Sequence, residues 1–146
     1  MVKNKKDTQY YEAVGRRKEA VSRVRLHIAV GKSNVDSNKK GDILINKIPL
    51  NKYLPLESDM NRVLKPLTLT QNQDRFITTI QVKGGGKNGQ VESIALGISR
   101  ALCLVDESLK HILKAEGLLT RDARVRERRM VGTGGKSRRQ KQSPKR

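Results

Sequence analysis

Residues 130–146 read MVGTGGKSRRQKQSPKR. Past the first two residues this stretch has almost nothing to bury, so it cannot recover its ordering entropy by packing on itself. A folded domain must therefore be built upstream of it. The tail is expected to be disordered or extended. It is either a solvated solubility tail or an arm that orders against a polyanion. Fully stretched, its 17 residues reach about 55–60 Å. The charge follows the same division. The chain has 146 residues and a formal net charge of +18. Residues 1–25 carry +5, residues 26–116 carry +4 and residues 117–146 carry +9. The expected organisation is a basic N-terminal extension over 1–9, a globular domain over 10–119 and an extended basic tail over 120–146.

A surplus this large points to nucleic acid as partner, with an anionic membrane surface as the runner-up. No run approaches the ~18 apolar residues of a membrane span. The opening MVKNKKDTQ has no apolar stretch behind its lysines, so no secretory signal is expected. A single cysteine, Cys103, cannot form an internal disulfide, and two histidines with one cysteine make a structural zinc site implausible. His27, His111 and Cys103 have no partners placed for nucleophilic catalysis. No catalytic residue, metal or cofactor is expected. Cys103, between Leu102 and Leu104, is read as a packed small hydrophobe, and His27 as an exposed strand residue.

Ala20, Ser22, Val24, Leu26 and Ile28 alternate with Val21, Arg23, Arg25 and His27, which predicts a half-buried strand with a largely basic outer side. The polar residues 31–40 read as a long hairpin loop into a second strand at Ile43-Leu44-Ile45, which Pro49 ends or confines to an edge. Ser58 is a candidate cap for a helix bearing Met60, Val63, Leu64 and Leu67, stopped or kinked at Pro66. Residues 76–82 are β-branched and alternating, hence a strand. Val91, Ile94, Ala95, Ile98, Leu102 and Val105 form the clearest helical stripe. Asp106 is a candidate cap and Gly117 a C′ stop for a last helix through Leu109, Ile112 and Leu113. The fold class is α+β, with helices covering one face of a small sheet.

Three motifs remain. Gly84-Gly85-Gly86-Lys87-Asn88-Gly89-Gln90 follows a predicted strand and opens a helix. Backbone amides there can converge on a phosphate beside Lys87. Its Gly84, Gly86 and Gly89 fit the dinucleotide fingerprint literally, but Asp106 begins a helix where that fold needs a second parallel strand. P-loop spacing fails as well, because Gln90-Val91 replace the Lys-Ser/Thr. A tight turn needed for packing and a loop approaching an RNA backbone both remain open. Gly15-Arg16-Arg17-Lys18 offers three successive cations, either to phosphates or to Glu12 and Glu19. Over residues 121–129, Arg124, Arg126 and Arg128 share a side if extended, and Arg121, Arg124 and Arg128 share a face if helical. Either form is an arginine comb suited to phosphates, with Asp122 as an arginine partner or cap. Without aromatic pairs for base stacking, readout is expected to run through phosphates and RNA shape.

Taken in order, these blocks resemble the ninth-protein family of the small ribosomal subunit, bacterial type. They are Tyr10-Tyr11 through Gly15-Arg16-Arg17-Lys18 to Val24, Val82 through Gln90 with Leu96-Gly97-Ile98-Ser99-Arg100-Ala101-Leu102, and Gly117 through Arg128. The resemblance spans about Tyr10 to Arg146. It implies a two-layer α/β sandwich with a left-handed β-α-β crossover, against the usual handedness. It also implies a non-enzymatic protein of the ribosome, in the cytoplasm or an organelle, bound to rRNA of the subunit head among neighbouring ribosomal proteins. The positions expected to contact rRNA are Arg16, Arg17, Lys18, Arg23, Arg25, Lys83, Gly84, Gly85, Gly86, Lys87, Asn88 and Gln90. In the comb and tail they are Arg121, Arg124, Arg126, Arg128, Arg129, Lys136, Arg138 and Arg139. The family's terminal Lys-Arg, here Lys145 and Arg146, contacts peptidyl-site tRNA. Ser143 and Pro144 stand where the family has an aromatic and a serine, and residues 31–40 make a longer loop than usual. Two rival readings are a free nucleic-acid binder, which accounts for the charge alone, and a nucleotide-binding enzyme built on the glycine loop.

Overall fold

A computed structural model describes residues 10–28, 41–133 and 135. Expectations for residues 1–9, the loop 31–40, Lys136, Arg138, Arg139, Lys145 and Arg146 lie outside the described residues. The described elements are β1 (Tyr10–Arg17), β2 (Ala20–Ile28), β3 (Ile43–Ile45), β4 (Ile48–Pro49), α1 (Leu50–Tyr53), α2 (Glu57–Leu69), β5 (Phe76–Lys83), α3 (Lys87–Val105) and α4 (Leu109–Ala115). They form the expected α+β architecture.

The sheet has the order β1-β2-β5-β3-β4. This corrects the expected hairpin. β2 does not pair with β3. β1 and β2 form the hairpin, closed by Lys18-Glu19, and β5 enters antiparallel between β2 and β3. β3 and β5 run parallel, so β3, α2 and β5 make a β-α-β unit. β4 folds back on β3 through Asn46 and Lys47, both at positive φ, and Pro49 sits in this edge strand, where its missing N–H does no harm. Asn46 also extends the parallel ladder. Its side chain donates to the Val82 carbonyl (3.1 Å) and accepts from the Val82 N–H (3.0 Å).

β2 buries Ala20, Ser22, Val24 and Leu26, as its alternation predicts. The helical stripe also behaves as predicted, with Val91, Ile94, Ile98 and Leu102 fully enclosed. Helix α2 differs at both ends. Glu57 and Asp59 supply negative charge to its first turn, so it starts at Glu57 with Leu56, not Ser58, as N-cap. It continues three residues past Pro66, which costs a single backbone bond at most and places the ring in the buried layer. Asp106 accepts the Ser108 N–H (2.9 Å) and so caps the turn leading into α4. Gly117, at φ +70°, ends α4 in a Schellman pair, with Gly117 N–H to Lys114 and Leu118 N–H to Leu113.

β1 has no apolar alternation because α3 lies directly on it. Its inward positions are Ala13, Gly15 and Arg17. A Cβ at Gly15 would fall 1.9 Å from the Ser93 carbonyl oxygen and 2.7 Å from the Gly97 nitrogen. Backbone meets backbone here, and the buried Ser22 hydroxyl donates to the same Ser93 carbonyl at 2.7 Å. At Gly97 a Cβ would meet a side chain rather than backbone, the buried Val24 Cγ2, at 2.7 Å. Gly15→Ala is therefore expected to destabilise by about 3 kcal/mol or more, lowering the melting temperature by at least about 10 °C. Gly97→Ala should cost less, since helix propensity returns about 1 kcal/mol. Thermal melts of the two variants check the order.

Candidate nucleic-acid interface

The crossing of α3 over β1 and β2 brings the three motifs to one end of the domain. The β1–β2 turn carries Arg16 and Lys18, both exposed. Lys83 ends β5 opposite Val21 at the start of β2. The glycine loop then passes against that turn and opens α3. Gly84 and Gly85 have φ of +73° and +65°. A Cβ at Gly84 would lie 2.5 Å from the Glu19 carbonyl oxygen, and one at Gly85 would lie 2.9 Å from Ala20. These two glycines serve the tight turn. Gly86 is different: its φ is −95°, and nothing lies within 4 Å of where a Cβ would stand. It is the N-cap of α3, makes no side-chain cap bond, and is followed by a first turn without acids. Its neighbours Lys87 and Asn88 are exposed. The open N-terminus of a 19-residue helix and an adjacent ammonium suit a phosphate.

Gln90 and Arg17, both expected at RNA, make hydrogen bonds within the protein. Gln90 braces the loop: its amide donates to the Gly84 carbonyl (3.1 Å) and accepts from the Tyr53 hydroxyl (2.9 Å). Arg17 points inward, with 11% of its side chain exposed. Its Nε donates to Glu92, its Nη1 to the Arg124 carbonyl (2.7 Å), and its Nη2 pairs with Asp122 (2.9 Å). Neither Glu12 nor Glu19 is its partner, because its strand position faces α3.

Residues 121–130 form neither helix nor strand, and Arg121, Arg124, Arg126, Arg128 and Arg129 are exposed. Asp122 is the expected arginine partner. It accepts from the Arg124 N–H (2.9 Å) and guanidinium (2.7 Å). Those hydrogen bonds, then the charges of Arg124 and Arg17, hold its carboxyl well below the usual carboxylate range. Arg23 and Arg25 sit elsewhere, on the outer face of the sheet. Arg23 donates to Gln81 (2.6 Å), and Arg25 donates to Glu12 (2.6 Å) and lies over the Tyr10 ring. With Lys47 and Lys83 they line a groove of about 420 Å³. His27 is on this face but half-buried, its Nε2 3.0 Å from Thr79 Oγ1. Burial, then Arg25, lowers its pKa, so it adds no charge near neutrality.

Sequence reasoning missed Lys47, Arg62 and Lys65. The last two line a cleft of about 360 Å³ with Arg16, between α2, α3 and the segment after α4. Their i, i+3 spacing beside the Met60–Val63 stripe was the available signal. Lys65 pairs with Glu116 (2.9 Å).

Among the described residues no group of three or more His, Cys, Asp or Glu could hold a metal, and no helix is long and apolar enough to cross a membrane. Cys103 packs partly against the core, and burial raises its thiol pKa. The dinucleotide reading fails on distance. Asp106 caps the far end of α3, about 30 Å from Gly86 at ~1.5 Å per residue.

The family described as ribosomal protein S9/S16 matches residues 15–146. Small ribosomal subunit protein uS9 of Amoebophilus asiaticus is 47% identical over 120 residues, covering 82% of this chain and 86% of that protein. The uS9 of Solidesulfovibrio magneticus is 42% identical, covering 87% and 90%, and the uS9c of Mesostigma viride is 43% identical, covering 84% and 82%. The match takes in the β1–β2 turn, the glycine loop and the arginine-rich segment that the fold gathers at one end, and the chain belongs to the ribosomal protein S9/S16 family.

Proposed function

We propose that this chain is a structural, non-enzymatic constituent of the small ribosomal subunit, anchored on head rRNA by its domain, with its C-terminal residues Lys145 and Arg146 contacting peptidyl-site tRNA. The observation that carries the anchoring is the convergence of Arg16, Lys18, Lys83, Gly86, Lys87 and Asn88 at one end of the fold, next to the root of the arginine comb. The relatives' names supply the assembly. The outer sheet groove with Arg23 and Arg25 is read as a second rRNA contact. Arg121, Arg126, Arg128 and Arg129 are read as contacts of the comb, followed by Lys136, Arg138 and Arg139. The role of Lys145 and Arg146 rests on the family resemblance.

The chain should remain with small subunits through a high-salt wash. Release of the whole population overturns the anchoring. Deleting Lys145 and Arg146 should leave assembly intact and weaken tRNA retention in the peptidyl site, read by filter binding; unchanged retention overturns the tail assignment.

The glycine loop gives a sharper test. Gly84→Ala should destabilise the free protein by about 2 kcal/mol or more, because a left-handed φ adds to a collision with Glu19. Gly86→Ala should cost under about 1 kcal/mol yet weaken rRNA binding, since its methyl fills the space left for a phosphate. Melting curves and binding titrations at fixed salt separate the two effects.

A further inference from the structure

We propose that Arg17 is a positioning residue that fixes where the C-terminal arm leaves the domain, and is not itself a phosphate contact. The inference deepens the reading above and rests on it for its consequence at tRNA. Three groups converge on one guanidinium: Glu92 from α3, Asp122 from the arm, and the main-chain carbonyl of Arg124. All three guanidinium nitrogens are engaged, and the side chain is 11% exposed. An arginine so occupied has no edge left for the bidentate phosphate geometry that makes exposed arginines good RNA ligands.

The clasp acts just past the apolar contacts of the arm with the core. Leu118 and Leu119 are the last arm residues packed against the core. Among the described residues from Arg121 on, none lies in a helix or strand. Arg17 reaches past the apolar contacts and catches the backbone at 124. Asp122 meanwhile grips Arg124 through its own N–H and guanidinium. The turn of chain from 122 to 124 is thereby tied to the first turns of α3, beside the glycine loop. The exposed arginines beyond it all start from one fixed origin. Fixing the root lowers the ordering cost when the rest of the arm binds.

Arg17→Met and Asp122→Ala, singly and together in the full chain, test this. Asp122 is outside the core, so its variant keeps the domain folded if Arg17→Met does not. Hydrogen exchange of free protein should rise at least about tenfold at the Arg124 amide, which donates to Asp122, in each variant, with the double variant no greater than the larger single. The slope of log K against log salt on head rRNA should be unchanged in Arg17→Met and shallower by about one in Arg16→Met. Unchanged exchange, or a shallower slope in Arg17→Met, overturns the clasp. On reconstituted subunits, Asp122→Ala should weaken peptidyl-site tRNA retention about threefold to tenfold, the scale of one or two side chains left unordered. If retention holds in Asp122→Ala but falls on deleting Lys145 and Arg146, the aiming role is overturned. If it holds in both, the tail reading has failed, and the aiming role with it.

Discussion

The arrangement depends on one backbone contact, that of α3 with β1 at Gly15 and Ser93. At this separation the helix lies lower on the sheet than side chains would permit, and the buried Ser22 hydroxyl donates to the Ser93 carbonyl at the point of contact. The consequence is directional. With the helix pressed onto β1 and β2, its N-terminus lands beside the β1–β2 turn. The loop joining β5 to α3 must then pass that turn with no room for Cβ atoms at two successive positions. The glycine loop, the cationic turn and the arm root share one end because the crossing leaves them no other place. Gly86 escapes the squeeze, and that makes it the residue with space to offer a partner.

The same contact explains what could and could not be read in the sequence. β2, β5 and α3 each bury a regular series of mostly apolar side chains, so their periodicity is visible, and the Gly117 stop follows from local chemistry alone. β1 is invisible to an apolar-period argument because its inner positions are small where α3 touches and charged where Arg17 meets Glu92. Strand pairing is a tertiary fact. Residues 20–28 and 43–45 are successive predicted strands, and nothing local says that β5 separates them. The cations split in the same way. Arg16, Lys18 and Lys87 face outward as their neighbours suggest. Arg17 turns inward because a strand sends adjacent side chains to opposite faces, and identifying its partners requires knowing that Glu92 and Asp122 lie under it. Gln90 is likewise committed by Tyr53, distant in sequence.

Formal charge therefore overstates what this domain presents to a polyanion. Arg17, Arg25, Lys65 and Arg124 each spend charge on a carboxylate of the same chain. The more exposed of these pairs, at Arg25, Lys65 and Arg124, contribute little stability individually. Those at Asp122 act geometrically: with Arg17 and Arg124 they hold a segment that has no apolar reason to stay. Arg16, Lys18, Lys83 and Lys87, four of the cations in no ion pair among the described residues, stand on the turn and the loop.

An acid inside an arginine comb looks self-defeating, and residues 117–146 contain only two, Asp122 and Glu127. The geometry gives Asp122 a reason. The arm must start beside a surface already rich in Arg and Lys, and two cationic segments side by side repel. Arg17 on its own would push the comb away. Glu92 and Asp122 bracket its guanidinium and convert that repulsion into a bond between the two segments. The bond must also survive ordinary changes of pH. Because the folded carboxyl is held far below its unfolded value of about 3.9, the stabilisation it provides is fully present above that pH. It is lost only as pH falls below it. Neutral and mildly acid conditions therefore leave the root of the arm clasped, while the arginines beyond it remain exposed to a partner.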